Sequence, residues 1–324
     1  ENRFLTIRKE FEIMADVTNT IGTVSAENKT FYEKALLKRL TPELVYAKYG
    51  QKKSAPRNEG TTVNFRRFNA IAPKTTALTE GVTPDGSALT VTTVTATVNQ
   101  YGDFVRVSDV LDMTGIDPVI TEMAQVLGES AGLAVDSVVR DVVLKGTSVQ
   151  YAGGADSRDK VVAGKTLTTE EIRKAVRTLR CNHAKPLDGR CYIGIVDPET
   201  AYDLMNDSLW QDVSKYNGGQ AIMDGEIGRL CGVRFVETGN GKTISNGAST
   251  GAINLHQSMI IGADAYGTVD IAGSSHPEII IKGTESGGTA DPLNQRGTIG
   301  WKAMFTAVRL QELAMVRIEH AVSA

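Results

Sequence analysis

Few residues in this chain have a spacing that suggests chemistry. Gly239-Asn240-Gly241-Lys242-Thr243 has the outline of a phosphate-cradling loop, where backbone amides and a lysine meet phosphate oxygens. Such a loop needs an earlier glycine upstream of the lysine. Glu237 stands in that stretch instead, and its carboxylate would repel the phosphates. A turn is the expectation. No GxGxxG follows a strand, so a dinucleotide site has no support.

Metal and nucleophile chemistry fare no better. The four histidines, His183, His256, His276 and His320, have no second His or Cys at ligand spacing on one helix face. Cys181, His183 and Cys191 are close enough to imagine a thiolate–imidazole pair, but no third group is placed to orient the base. A thiol is more often a small buried apolar group. Asp264 and Asp270 do not follow a calcium-loop pattern. Tyr101, Trp210 and Trp301 read as core or interface anchors. The expectation is a chain with no catalytic, cofactor-binding or metal residues and no cofactor.

Composition bounds what remains. At 324 residues and 41% hydrophobic, the chain can bury a large core in one large or two modest domains. Its 35 basic and 38 acidic residues leave a net charge of −3, which argues against a surface built entirely for nucleic acid, although a locally basic face remains open. The three cysteines, Cys181, Cys191 and Cys231, are odd in number and lack CxxC spacing, so reduced thiols and a cytoplasmic setting are expected. No apolar run reaches the ~20 residues of a membrane helix, and the start lacks a secretory layout. A start at Glu1 instead of Met reads as trimming.

The elements that must position these residues are easier to read. Asn28 to Leu40 carries a helical stripe of Phe31, Ala35, Leu36 and Leu40, within an arm that ends in the polar stretch Lys52 to Gly60. Thr61 to Phe68 alternates as a strand, and Thr90 to Val98 is β-branched and low in charge. The loop between them holds Pro73, Gly81, Pro84 and Gly86, so a long hairpin is predicted. A lone hairpin is marginal in water and its edges invite pairing, so it must lie on a packed surface of its own chain or a neighbour's.

Asp117-Pro118 opens the strongest helix, with Ile120, Met123, Leu127, Ala131, Ala134 and Val138 at spacings of three and four, to about Lys145-Gly146. Its length is roughly 40 Å at 1.5 Å per residue. Gly128 and Gly132 inside it permit close packing. An α/β region follows. It has helices from Thr168 and Asp197, strands at Cys191–Val196 and Val233–Val236, turns at Asn240-Gly241 and Asn246-Gly247, and a strand-rich stretch from Ala252 to Ile261. Short strands at Thr268–Ile271 and Glu278–Lys282 precede two long strands joined by a bend, between Gly297 and Ile318.

This order of arm, long hairpin, long helix, α/β insert and terminal strands resembles the major capsid proteins of tailed bacteriophages, whose fold is named after phage Hong Kong 97. The likeness is closest to the coliphage N-four type. It is carried by Asp291-Pro292-Leu293-Asn294-Gln295-Arg296-Gly297-Thr298-Ile299-Gly300-Trp301-Lys302, with Tyr266-Gly267, Gln100-Tyr101-Gly102 and Val107-Ser108-Asp109 in support. Asp291, Pro292, Gln295, Arg296, Gly297, Trp301 and Lys302 mark the family and not a catalytic site.

The resemblance implies an α+β fold with an N-terminal arm (1–59), an extended E-loop hairpin (60–102), a P-domain with a long spine helix and β-sheet (103–165 and 263–324) and an α/β A-domain (166–262). It implies a non-enzymatic major capsid protein that self-assembles into hexamers and pentamers of an icosahedral virion shell. The shell would be assembled in the host cytoplasm and enclose double-stranded DNA without sequence specificity. Portal, scaffold or decoration proteins are candidate further partners, and no membrane is expected. The hairpin would lie over a neighbouring subunit, with Lys74, Thr79, Glu80 and Asp85 as candidate intersubunit contacts. Some relatives crosslink through a lysine of the hairpin. Lys74 lies near this tip, but crosslinking is not expected here. An encapsulin-like or other phage structural subunit is the alternative, and an α/β enzyme using Cys191 or Asp197 a more distant one.

Overall fold

The β-branched runs pair as the alternation predicts. In the computed structural model, which describes Leu36 and residues 44–56, 58, 60–69, 71–114, 119–207, 209–210, 226–248, 251–271, 277–283 and 292–323, the chain is a mixed α+β protein with three sheets. Leu36 is helical and buried; the rest of the helix expected over Asn28 to Leu40, and its proposed caps at Asp117-Pro118 for the long helix, lie outside the described residues.

The hairpin is β2 (Thr62–Phe68) against β3 (Val91–Thr97), antiparallel over seven residue pairs. Just before it, β1 (Gln51–Ala55) runs parallel to β11 (Tyr266–Ile271). This strand was not legible in a stretch read as polar arm, because β1 shows only Ala55 to the core. After the hairpin, β4 (Asn99–Ser108) leads through a short α1 (Asp109–Thr114) towards α2 (Val119–Leu144), a helix of 26 residues.

The first large sheet is organised by β13 (Arg296–Arg309). One edge of β13 pairs with β12 (Glu278–Lys282) and then with β11, while β4 runs antiparallel along the other edge from Arg296 to Phe305. The second sheet has seven strands in the order β5-β14-β10-β6-β8-β7, with β9 beside β10. These are β5 (Val149–Tyr151), β6 (Tyr192–Val196), β7 (Glu226–Leu230), β8 (Val233–Glu237), β9 (Thr243–Ser245), β10 (Asn254–Ile261) and β14 (Met315–His320). Helices α3 (Thr169–Cys181) and α4 (Pro198–Asn206) accompany it.

The two strands read near the C-terminus, β13 and β14, are joined by a 3-10 turn at Glu312–Ala314, but they belong to different sheets. The second sheet therefore takes β5 and β14 from outside the span 166–262. One apolar core runs through α2, α3 and both large sheets.

Helix α2 is where these parts meet. Its buried face is Ala124, Leu127, Ala131, Val135, Val139 and Val143, turned slightly from the stripe read in the sequence, with Met123, Ala134 and Val138 at its margin. Gly128 explains the turn. A Cβ there would lie 2.5 Å from the Leu36 carbonyl oxygen, so the arm backbone rests directly on the helix at that point. Asp136, fully buried, accepts from the Ala47 amide at 3.1 Å and from the Asn240 side-chain amide at 3.2 Å. It thereby ties the 44–50 segment and the 239–242 loop to one helix turn.

Candidate assembly surfaces and a polar cluster

The hairpin is half rooted and half bare. Val63 and Phe65 of β2, Ala96 of β3 and the following Val98 pack on Ala55 and Val269, forming a second small core. Phe65 fits because residue 267 is glycine; a Cβ there would come within 2.7 Å of the ring. Burying side chains such as Val63 and Phe65 contributes on the order of 2 kcal/mol each, which offsets the marginal stability of an isolated hairpin. Beyond Phe65 the stem has no such support. Arg66, Arg67, Phe68, Val91 and Thr92 are exposed, and so is the whole loop 71–90, including Ile71, Leu78, Val82 and Leu89.

Lys74, Thr79, Glu80 and Asp85 all lie on this exposed loop. The Lys74 ammonium donates to the Asp85 carbonyl oxygen and so joins the two limbs of the loop. The Val82 amide donates to the Thr79 carbonyl at 3.2 Å, across a turn where Gly81 takes a φ of 77°. Glu80 stands at that turn.

The C-terminal motif is placed differently. Asp291 lies outside the described residues; Pro292, Gln295 and Arg296 are exposed, Gly297 and Trp301 are buried, and Lys302 is half-buried. Together they start β13 and seal it to β4. The Asp109 amide donates to the Gln295 carbonyl at 3.1 Å, and Trp301 and Lys302 pair with Asp103 and Gly102. A Cβ on Gly102 would lie 2.6 Å from the Trp301 carbonyl oxygen, and one on Gly300 would lie 2.8 Å from Phe104 Cβ. These glycines are required by strand approach. The motif is a structural seam at the base of the hairpin.

A cavity of about 1190 Å³ opens beside the hairpin, lined by β1, β2, His183, Lys185, Gln311 and Leu313. It separates the rooted stem from the second sheet's loops.

Sequence reading missed one constellation. Asp197, Glu199 and His256 offer ligand-type atoms all within 4.8 Å of one another. Asp197 caps α4, Glu199 sits in its first turn, and His256 comes from β10, so only the fold brings them together. The His256 Nδ1 faces an Asp197 carboxylate oxygen, and its Nε2 lies 3.3 Å from Glu199 Oε2. Carboxylates thus face both ring nitrogens. Asp197 also accepts from the Thr200 hydroxyl. Behind this cluster, His320 is fully buried; its Nδ1 donates to the Ala321 carbonyl at 3.0 Å, so its Nε2 accepts from the Ser258 hydroxyl at 2.8 Å.

The other candidates dissolve into structure. Lys242 pairs with Asp141 at 3.0 Å, and Asn240 bonds Asp136 and accepts from Arg140, so the loop 239–242 fastens the second sheet to α2. Burial raises the Asp141 carboxyl, but hydrogen bonds from Lys242 and Arg140 outweigh it and hold the group below the usual range. Cys181 is exposed, Cys191 and Cys231 are half-buried, and all three are free thiols. His183 follows the C-cap of α3 in a left-handed conformation, with φ at 55°. Among the described residues no helix is long and apolar enough to cross a membrane.

Comparison with known proteins places this geometry. A family model described as phage capsid protein matches residues 90–318. The capsid of Ralstonia phage GP4 superposes with a TM-score of 0.68 at 12% identity, covering 85% of this chain and 88% of that one. The capsid of cyanophage P-SCSP1u gives 0.63 at 14% identity, covering 87% and 89%. A virus-like particle from Pyrococcus furiosus gives 0.52 at 11% identity, covering 89% and 98%. A search of curated proteins finds no match.

Proposed function

Since this chain belongs to the phage capsid protein family and is a major capsid shell protein with the Hong Kong 97 phage-like fold, we propose that it forms the icosahedral head of a tailed phage of the coliphage N-four type. Hexameric and pentameric capsomers would assemble in the host cytoplasm and enclose double-stranded DNA. The division into arm (1–59), E-loop (60–102), P-domain (103–165 and 263–324) and A-domain (166–262) belongs to the same reading. So does the marking of the family by Asp291 to Lys302.

The observation that carries the intersubunit part is the exposed outer half of the hairpin. Exposed Phe68, Ile71, Leu78, Val82 and Leu89 lie on the strand end and loop beyond Phe65, where among the described residues no side chain of the hairpin is buried, and edges of this kind seek partners. Lys74, Thr79, Glu80 and Asp85 would make the polar contacts with the neighbour.

Electron microscopy of the purified full chain tests the proposal. Closed shells are expected. A monodisperse small oligomer at every salt and protein concentration would overturn it. A second reading, a cargo-enclosing shell of the encapsulin kind, draws on the likeness to the Pyrococcus furiosus particle. Shells purified from infected cells that hold protein and no DNA would favour it.

A further inference from the structure

One run of positive charge in this chain is displayed on a single helix and the loop after it. Between Arg173 and Arg190 stand Arg173, Lys174, Arg177, Arg180, Lys185 and Arg190 against a single acid, Asp188, in a chain whose net charge is −3. The fold explains how they are displayed. Ile172, Ala175, Val176 and Leu179 bury one side of α3. Arg173, Arg177 and Arg180 therefore fall on the opposite, exposed side, within roughly 60° of one another and spread over about 10 Å of axis. Lys185 and Arg190, on the loop that follows, are exposed as well.

The local acids are already engaged. Glu170 and Glu171 pair with Lys174 at 3.0 Å each, and Asp188 pairs with Arg234 at 3.0 Å. Asp207 accepts from the Thr169 amide at 3.0 Å and hydroxyl at 2.6 Å. Among the described residues Arg177, Arg180, Lys185 and Arg190 make no ion pair, and Arg173 lies near enough to Asp207 to help hold that carboxyl below its usual range. A row of exposed guanidinium groups on one helix face suits a regularly charged polyanion, because each planar fork matches phosphate oxygens and each contact releases condensed counterions.

We infer that the exposed face of α3, continued by the loop to Arg190, is a contact surface for the phosphate backbone of double-stranded nucleic acid. The inference rests on the capsid reading above and names the face of the subunit that meets the enclosed polymer. It is sequence-independent, since phosphate contacts position a duplex without reading its bases.

The test uses the purified full chain below its shell-forming concentration, with a fluorescent duplex of mixed sequence and anisotropy read across a salt series. Wild type should bind, with affinity falling steeply as salt rises. The triple variant Arg173→Gln, Arg177→Gln, Arg180→Gln should bind at least about tenfold more weakly at low salt, with a log–log salt slope shallower by about 2 to 3. A control triple at exposed sites elsewhere, Lys52→Gln, Lys145→Gln, Lys282→Gln, removes the same charge and should retain most of the slope. Equal losses in both triples would overturn the inference, as would wild-type protein that does not bind. Shell formation, followed in parallel by microscopy, keeps the two readings apart. Shells from wild type that binds no duplex would sink the surface and leave the capsid standing. A variant that keeps duplex binding but no longer forms shells would mean that the arginines meet another subunit instead.

Discussion

His256 and His320 face each other across the β10–β14 pair, with ring centroids 6.3 Å apart and planes 27° from parallel, yet their surroundings differ in kind. His256 has a carboxylate at each ring nitrogen. His320 donates to a carbonyl, accepts from Ser258 and is sealed from water. Burial pushes the His320 imidazole below its ordinary 6.5, against smaller opposing contributions from the Ala321 carbonyl and Asp197.

A pH dependence follows. The unfolded chain takes up a proton near pH 6.5 that folded His320 refuses, so its contribution is complete above that pH and lost as pH falls through the window below it. Thermal midpoints at pH 7.5, 6.5 and 5.5 should decline, and His320→Gln should flatten the decline while costing about 1 kcal/mol at pH 7.5. An unchanged slope in the variant would remove His320 as the source.

Asp136 should behave with the opposite sign. Burial raises its carboxyl above the ordinary 3.8, so the folded chain binds a proton more readily, and this contribution is lost as pH rises through the raised value. Asp136→Ala leaves the Ala47 amide and the Asn240 side-chain amide unpartnered and should cost about 2–4 kcal/mol in denaturant unfolding. Asp136→Asn, which keeps an acceptor, should cost less than half of that.

Gly128→Ala should destabilise the chain, although alanine favours an isolated helix by about 1 kcal/mol. The added Cβ meets the Leu36 carbonyl oxygen at 2.5 Å, and backbone must move. A lowered unfolding midpoint is expected. A raised one would show that the arm does not rest on the helix there.

Deleting Lys74 to Ser87 should leave the body folded and abolish shells. These residues are exposed and the stem's small core lies elsewhere, at Val63, Phe65, Ala96 and Val98. Circular dichroism should match wild type while sedimentation shows only small species. Normal shells from the deletion would refute the intersubunit role of the loop.

Local patterns were legible wherever burial and propensity agree. The β-branched residues of β3, the alternation of β2 and the stripe of α3 at Ile172, Ala175, Val176 and Leu179 all became what their spacing predicts. What escaped notice depends on partners distant in sequence. β1 is a strand only because β11 supplies an edge, since four of its five residues are exposed. The Asp197–His256 contact joins residues 59 apart, and no local periodicity encodes it. The face of α2 shifted because a glycine, invisible to a hydrophobic count, is where the arm backbone sits. The basic row on α3 has helical spacing in the sequence, but only the fold shows that its arginines share one exposed face.

The turn between β13 and β14 has a mechanical consequence. It carries the chain from one sheet directly into the other, and Glu312 within it accepts from the Ser148 amide at 3.2 Å beyond the end of α2. Arg317 then donates to the Leu144 carbonyl at that same end. Bending one sheet against the other would break several of these links at once, so the contacts oppose such bending. The outer hairpin beyond Phe65 has no comparable buried anchor. A braced body with one unanchored strap would let the subunit follow local curvature without altering its own shape.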